Sequence, residues 1–350
     1  MMRRIALLFA GAIAFGLGSG SAAEPRQEEG VPDPGLNSAK EPMAEAYSFK
    51  QAGAFLDQAS VHWQQKKKCL TCHTNFSYLV TVSEYGSQRP AFGEIRRFTE
   101  SVVRERTERP RNQRWDTEVV LTAAALSVSD ANTGSKLHPV TRMGLDRMWT
   151  VQREDGAWNW GKCEWPPMES DDYYGVMVAL LAVGRAPEGY ASTDAAREGL
   201  GKVRGYLAKN RPPSVHHEGM LLWASKYVDG IMTGEERKKT VDDLLALQRP
   251  DGGWNSATLG NWKRPDGTPQ DVETSDGYGT GFVLWIVRAG GVPASDERLR
   301  RGVEWLKSHQ RRSGRWYTRS LHSDGKHYLT HAGTAFAALA LHACGEGDGR

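Results

Sequence analysis

A short loop with the pattern Gln-x-x-x-Gly-x-Trp recurs in this chain, and its repetition limits the possible folds more than any other feature. Copies start at Gln152, Gln248 and Gln310, and a degraded copy surrounds Trp63. Each copy follows an amphipathic segment and precedes an apolar segment that is rich in small residues. Repetition of a unit this long is typical of an architecture built from stacked supersecondary units.

Two further pairs of helix-like segments lie between these copies without the tryptophan loop, and they bring the total to six pairs. Their first members have apolar residues at helical spacing, as Ile95, Phe98 and Val102 show. The pattern predicts six first helices, which start near residues 50, 93, 140, 194, 236 and 297.

The two helices of each pair differ in polarity. The first helix of the last pair carries Leu299, Val303 and Leu306 on one stripe. The second helix of the fifth pair is apolar on every side over 281–287. A helix that is apolar all round is buried all round, whereas a single apolar stripe covers a core. We therefore predict an all-α fold, a single (α/α)6 barrel in which six helix hairpins close into a toroid; an open superhelix is the alternative.

The N-terminal residues predict export. Arg3 and Arg4 precede the apolar run 5–17, and small residues follow at 21–23, which is the pattern of a secretory signal peptide over 1–23. The mature protein is then expected in the periplasm, and an uncleaved membrane anchor is the alternative.

Composition sets the remaining boundaries. We predict a flexible linker over 24–46, which is rich in Pro, Gly and charge, the toroid over 47–345 and a disordered tail over 346–350. The 45 Lys and Arg residues nearly balance the 42 Asp and Glu residues, so no nucleic-acid partner is expected.

Each tryptophan loop joins a first, outer helix to the following inner helix, so all these loops lie at one rim of the barrel. The N-termini of the inner helices point to the same rim, which gives it free backbone N–H groups. The residues expected at the starts of the inner helices are His73, Asp116, Asp171, Asp172, His216, His217, Asp276 and His331. For Asp116 and Asp276 we favour helix capping.

The segment Glu169-Ser170-Asp171-Asp172 holds three carboxylates in four residues, more than one helix cap requires. Mutual repulsion and partial burial would raise the pKa of at least one carboxyl, as a strong general acid needs. A solvated acidic loop is the alternative.

The Gln-x-x-x-Gly-x-Trp loops, the alternating helices and this acidic segment resemble the terpenoid cyclase and prenyltransferase toroid superfamily, most closely the C-terminal barrel of squalene–hopene cyclases. The resemblance implies an isomerase-type enzyme in which Asp171 protonates an isoprenoid or similar apolar alkene. Glu169, where that family has Asp, and Asp172 would tune this acid. The resemblance also implies contact of the protein with a membrane surface.

Aromatic residues near the barrel cavity could stabilise cationic intermediates through their faces. The candidates are Tyr173, Tyr174, Trp285 and Phe336, and core packing is the alternative for each. A toroid of this kind can also bind an apolar ligand or a partner protein without catalysis.

The degraded loop is followed by Cys69-Leu70-Thr71-Cys72-His73, which matches the Cys-x-x-Cys-His pattern of covalent c-type haem attachment. His73 would be the proximal iron ligand. If the ring closes, the sixth hairpin adjoins the first, and His322, His327 or His331 could supply the distal ligand, with Met168 a more distant candidate.

Two other functions of this motif stay open. One is a Cys69–Cys72 disulfide or a pair of free thiols. The other is a metal site formed by Cys69, Cys72, His73 and Cys163.

Overall fold

The structure, a computed structural model, describes residues 31–106 and 114–347. The predicted signal peptide over 1–23, the first part of the predicted linker and the end of the predicted tail lie outside these residues. Within the described residues, no helix has the length and apolarity that crossing a membrane requires.

The described residues form twelve α-helices that alternate between an outer and an inner layer. The outer helices are α1 (Phe49–Lys67), α3 (Pro90–Glu105), α5 (Pro139–Thr150), α7 (Asp194–Lys209), α9 (Gly234–Ala246) and α11 (Glu297–His309). The inner helices are α2 (Ser77–Val82), α4 (Trp115–Thr133), α6 (Asp172–Arg185), α8 (Val215–Ser225), α10 (Gly277–Ala289) and α12 (Tyr328–Ala343). The outer helices start within three residues of the predicted positions.

The inner helices form a closed ring. Each packs against the next in chain order, and α12 packs against α2. Burial follows the polarity of the two helix types: α12 is buried continuously from Tyr328 to Leu341, whereas α11 buries one face that includes Leu299, Val303 and Leu306. The predicted (α/α)6 toroid is confirmed.

The repeated loop joins neighbouring hairpins through its glutamine and its glycine. The Gln310 side chain donates to the carbonyl oxygens of Gly314 (3.0 Å) and Ser48 (2.9 Å), and it accepts from the Ser48 N–H (2.7 Å). Ser48 is the N-cap of α1, so this loop joins the sixth hairpin to the first. Gln152 and Gln248 make the equivalent bonds to Gly199 of α7 and Arg298 of α11.

The tryptophan of each loop anchors it to its own outer helix. Trp158, Trp254 and Trp316 are fully buried, and each indole N–H donates to a carbonyl oxygen near the end of the preceding helix, at 2.7–2.8 Å. A buried indole needs such an acceptor, since an unpaired N–H would carry a desolvation cost. The three copies of the loop are therefore anchored by the same hydrogen bond.

Residues 31–46, which belong to the predicted linker over 24–46, make specific contacts with the sixth hairpin. The Asn37 side chain donates to the Lys326 carbonyl oxygen (2.9 Å), the Ala44 N–H donates to the Gln310 carbonyl oxygen (2.8 Å), and Glu41 accepts from Arg315 (2.6 Å). Arg315 is buried, so the Glu41 carboxylate compensates a charge that water cannot reach. The segment crosses the seam between the sixth and first hairpins.

We predict that Gly314→Ala destabilises the protein more than Gly291→Ala. Both glycines have a left-handed backbone, with φ of +95° and +99°, so both substitutions carry a strain of about 1–2 kcal/mol. A Cβ at Gly314 would lie 2.3 Å from the Gln51 carbonyl oxygen, whereas no heavy atom lies within 4 Å at Gly291 in the described residues. Urea unfolding should show about 2 kcal/mol of additional loss for Gly314→Ala. Equal losses would contradict a close contact between the hairpins.

Candidate functional site

Asp171, the predicted proton donor, is the N-cap of α6 and is held as a carboxylate. It accepts from the Tyr174 N–H (3.0 Å), from the Ser170 hydroxyl (3.0 Å) and from His217 Nε2 (3.1 Å). Burial acts to raise the pKa of Asp171. The hydrogen bond and charge of His217, together with the hydrogen bonds from Tyr174 and Ser170, have the larger opposite effect and hold the pKa of Asp171 below its usual value. The expected mutual repulsion does not decide the protonation state of this group.

The three carboxylates of the acidic segment face different partners. Asp172 pairs with Arg153 (2.7 Å) and Lys162 (3.2 Å). Glu169 is buried and accepts from the Cys72 thiol at 3.6 Å. Each of the three carboxylates therefore has its own hydrogen-bond donor or cation.

The other two rim aspartates differ from each other. Asp276 caps α10 by accepting from the Gly279 N–H (2.8 Å), as predicted, and burial raises its pKa to about 6. Asp116 does not cap its own helix, contrary to our prediction. It lies inside the first turn of α4 and accepts from the backbone and side chain of Asn159.

Aromatic rings pack together in the barrel interior. His216 is fully buried, stacks on Phe282 at 4.3 Å between ring centroids, and hydrogen-bonds through Nε2 to the Tyr278 hydroxyl (2.7 Å). Tyr174 stacks on the same His216 ring, and Phe336 packs edge-on against Phe282. Of the other two predicted aromatics, Tyr173 packs against His217 and Trp285 against Trp223. Their observed contacts are those of core packing.

The cysteine motif forms the turn into the first inner helix. The Asn75 side chain accepts from the Thr71 N–H (2.8 Å) and donates to the Cys69 carbonyl oxygen (3.0 Å), and Cys72 to Phe76 form a π-helical turn before α2. All four cysteines, which lie in the described residues, are free thiols, so Cys69 and Cys72 take the free-thiol form of that alternative and not the disulfide. The Cys72 thiol points towards Glu169 of the third hairpin.

One group of three metal-ligating side chains comes together within residues 31–106 and 114–347, and it consists of His73, His327 and His331. We call it the histidine cluster. One ligand nitrogen from each residue lies within 4.8 Å of the other two. The alternative metal site of Cys69, Cys72, His73 and Cys163 does not form a group of this kind in the described residues, because His73 joins the other two histidines and the Cys72 thiol points to Glu169.

The imidazoles of the histidine cluster are neutral. Burial holds the pKa of His73 and of His331 well below the usual value and lowers that of His327 to about 4. Thr74 Oγ1 lies 2.7 Å from His73 Nδ1 and 3.1 Å from His331 Nδ1. In the described part of the chain, the buried His327 Nε2 has no hydrogen-bond partner.

A pocket of about 290 Å³ opens beside the histidine cluster, where the sixth hairpin meets the first. We call it the seam pocket. It is lined by α1, by the segment that crosses the seam and by the start of α12, and we call the α12 side its floor. The residues that line it are Asp33, Pro34, Gly35, Leu36, Asn37, Ala59, His62, Trp63, Lys66, Lys67, Gly325, His327 and His331.

The packing around His73 does not fit a covalent haem. Its ring contacts the rings of Trp63, Trp165, His327 and Tyr328, with centroids 5.0–5.9 Å away, and these rings occupy the space that a porphyrin would need. The Cys72 thiol lies 3.6 Å from the Glu169 carboxylate, whereas the His73 ring packs among rings of the first, third and sixth hairpins. Of the predicted distal ligands, His327 and His331 do lie beside His73, whereas His322 is not part of the cluster.

Comparisons with known proteins agree on the fold. No protein-family model and no curated protein sequence matches the chain. A glycosidase structure matches with a TM-score of 0.57 at 12% identity, over 85% of this chain and 97% of that chain. A glycosidase variant in complex with glucose matches with a TM-score of 0.56 at 12% identity, over the same shares of the two chains.

A variant of the type II terpene cyclase MstE from Scytonema, in complex with geranylgeranyl dihydroxybenzoate, matches with a TM-score of 0.50 at 12% identity, over 85% of this chain and 96% of that chain. The chain is an α/α toroid. At this identity the likeness concerns the fold, which cyclases and glycosidases share, and the sites of this toroid carry the argument about its function.

We predict that the protein carries no covalent haem, because the rings around His73 leave no slot for a porphyrin. The intact mass of protein exported in cells with haem-attachment machinery should equal that of the polypeptide. A Cys72→Ser variant, which cannot form the second thioether, is the matched control and should show the same absence of haem absorbance. A wild-type mass raised by one haem would contradict the prediction.

Proposed function

We propose that this toroid binds a small organic anion in the seam pocket, and that this pocket rather than the acidic segment is its functional site. The observation that carries the proposal is the convergence of three neutral imidazoles beside a pocket with an aromatic wall. Concave sites with a few convergent polar groups are the usual places for small ligands. Groups with strongly shifted pKa values are also concentrated at functional sites.

The charges around the seam pocket support an anionic ligand. Lys66 and Lys67 line it from the last turn of α1, and Asp33 is its single acidic lining residue. His62 Nε2 lies 3.7 Å from the Asp33 carboxylate. Two lysines against one carboxylate leave an excess of positive charge at the pocket.

Trp63 supports a ligand with a flat apolar part. Its ring lines the pocket and packs edge-on against His73, with centroids 5.0 Å apart, so its orientation is fixed before a ligand arrives. A fixed aromatic wall lowers the ordering cost of binding. Benzoate, which combines a flat ring with a carboxylate, is therefore a suitable probe.

We expect benzoate to bind the protein more tightly than benzamide, which has the same shape without the charge. Lys66→Gln combined with Lys67→Gln should weaken benzoate binding about fivefold, since exposed ion pairs contribute up to about 1 kcal/mol. Isothermal titration at low ionic strength measures both effects. The exposed Lys136→Gln is the matched control and should bind as the wild type does. Equal affinity for benzoate and benzamide would exclude an anion site.

A second candidate function is the protonation of an isoprenoid or similar apolar alkene by Asp171. It is favoured by the hydrogen-bonded pair of Asp171 and His217 at the start of α6, and by the likeness in fold to a type II terpene cyclase. In this function His217 would fix the orientation of the acid. The low pKa of Asp171 would make its protonated form strongly acidic but scarce at neutral pH.

If Asp171 is the proton donor, turnover of squalene rises as the pH falls. The pKa of Asp171 is held below 3.8, so its protonated fraction increases about tenfold for each pH unit between 7 and 5. Product formation measured over this range should follow that slope and vanish in Asp171→Asn. Asp116→Asn, at the same rim, should keep the activity. Turnover that survives in Asp171→Asn would remove this function.

A further inference from the structure

The histidine cluster joins two ends of the toroid that are far apart in sequence. His73 belongs to the turn before α2, and His327 and His331 belong to the start of α12. The contact between Thr74 and His331 spans 257 residues. The cluster therefore forms only when the sixth hairpin closes against the first, and it lies at the floor of the seam pocket.

Thr74 orients two of the three imidazoles. Its hydroxyl oxygen lies within hydrogen-bond distance of Nδ1 of both His73 and His331, and it can accept an N–H from each. In that arrangement the Nε2 lone pairs of both rings are free. Ligating histidines commonly donate their other ring N–H to such an oxygen, which fixes the tautomer and the ring orientation.

We propose that His73, His327 and His331 bind one divalent transition-metal ion at the floor of the seam pocket. The inference rests on the proposed function for the identity of the pocket and adds a cofactor to it. Three imidazoles are a set that zinc, copper and cobalt accept. Catalytic zinc sites use three protein ligands and keep one position open for water or substrate.

The three ring nitrogens must move slightly closer together to bind one metal ion. Zinc–nitrogen bonds of about 2.0–2.1 Å place tetrahedral ligand nitrogens about 3.3 Å apart, whereas the three nitrogens of this cluster lie within 4.8 Å of one another. His327 can supply the movement, since it is only partly buried and precedes the first residue of α12. Its buried, unpartnered Nε2 would gain the bond that it lacks.

A metal ion here would also favour the proposed anionic ligand. Histidine binds metal ions as neutral imidazole, so three histidine ligands leave the double charge of the ion uncompensated. His327 and His331 line the seam pocket, and the open coordination position therefore faces the space that a ligand would enter. A carboxylate bound at that position would lie between the ion and the lysines of the pocket.

Cobalt titration of the full chain tests the proposal, after treatment with a chelator. We expect one equivalent of Co²⁺ to bind with the visible bands of a four-coordinate site and without thiolate-to-cobalt charge-transfer bands. His327→Gln and His331→Gln should each weaken binding at least about tenfold, because each removes a ligand. Cys72→Ser should bind cobalt as the wild type does.

His216→Gln is the matched control for the loss of a buried histidine. His216 is fully buried and has a ring nitrogen without a partner in the described residues, but it lies outside the cluster. It should keep the cobalt spectrum, and circular dichroism checks that all variants are folded. Absence of cobalt binding by the wild type, or thiolate bands that disappear in Cys72→Ser, would overturn the proposal.

Benzoate titration of the chelated and the cobalt-loaded protein separates this inference from the proposed function. Binding of benzoate without any binding of cobalt leaves the anion pocket intact and removes the metal. Binding of cobalt by the histidines without any binding of benzoate supports the metal and removes the anion function. Tighter benzoate binding to the loaded protein, by tenfold or more, supports both.

Discussion

The carboxamide of Gln310 makes the contact on which the rest of the structure depends. Its hydrogen bonds to Ser48 and Gly314 join the last hairpin to the first and convert a row of hairpins into a ring. A row would leave the apolar inner helices at its two ends exposed, so closure removes a large hydrophobic cost. The same closure brings the start of α12 against the turn before α2, where the histidine cluster lies.

Two sets of ionisable groups at the same rim have opposite environments. The carboxylates at the start of α6 have cationic or N–H partners, as the pairs of Asp171 with His217 and Asp172 with Arg153 show. The imidazoles of the histidine cluster are buried among rings and kept neutral. A buried ring nitrogen without a partner costs about 1–3 kcal/mol. An unpaired nitrogen does not stabilise the fold, so we relate its presence to a ligand that binds there.

Most of the fold could be predicted because its determinants are local. The spacing of Leu299, Val303 and Leu306 sets the buried face of α11 without reference to any distant residue, and the repeated loops count the hairpins. The site could not be predicted in the same way. The directions of the Cys72 thiol and the His73 ring depend on the turn that Asn75 fixes, and the partners of Glu41 lie some 270 residues away. Asp116 lies two residues beyond Arg114, the N-cap of α4, and the start of a helix can be read from the sequence only to within one or two residues.

Local patterns in the sequence set the number of hairpins, the order of the two layers and the rim at which the inner helices begin, because helical period and loop chemistry act over a few residues. Closure of a six-hairpin ring also indicated His322, His327 or His331 as a neighbour of His73, and the structure places His327 and His331 there. The convergence of side chains depended on tertiary packing. This packing gave the three carboxylates separate partners, placed residues 31–46 across the seam and brought together three imidazoles, two of which lie beside Thr74. The direction of a side chain is set by contacts between distant segments, which no local pattern records.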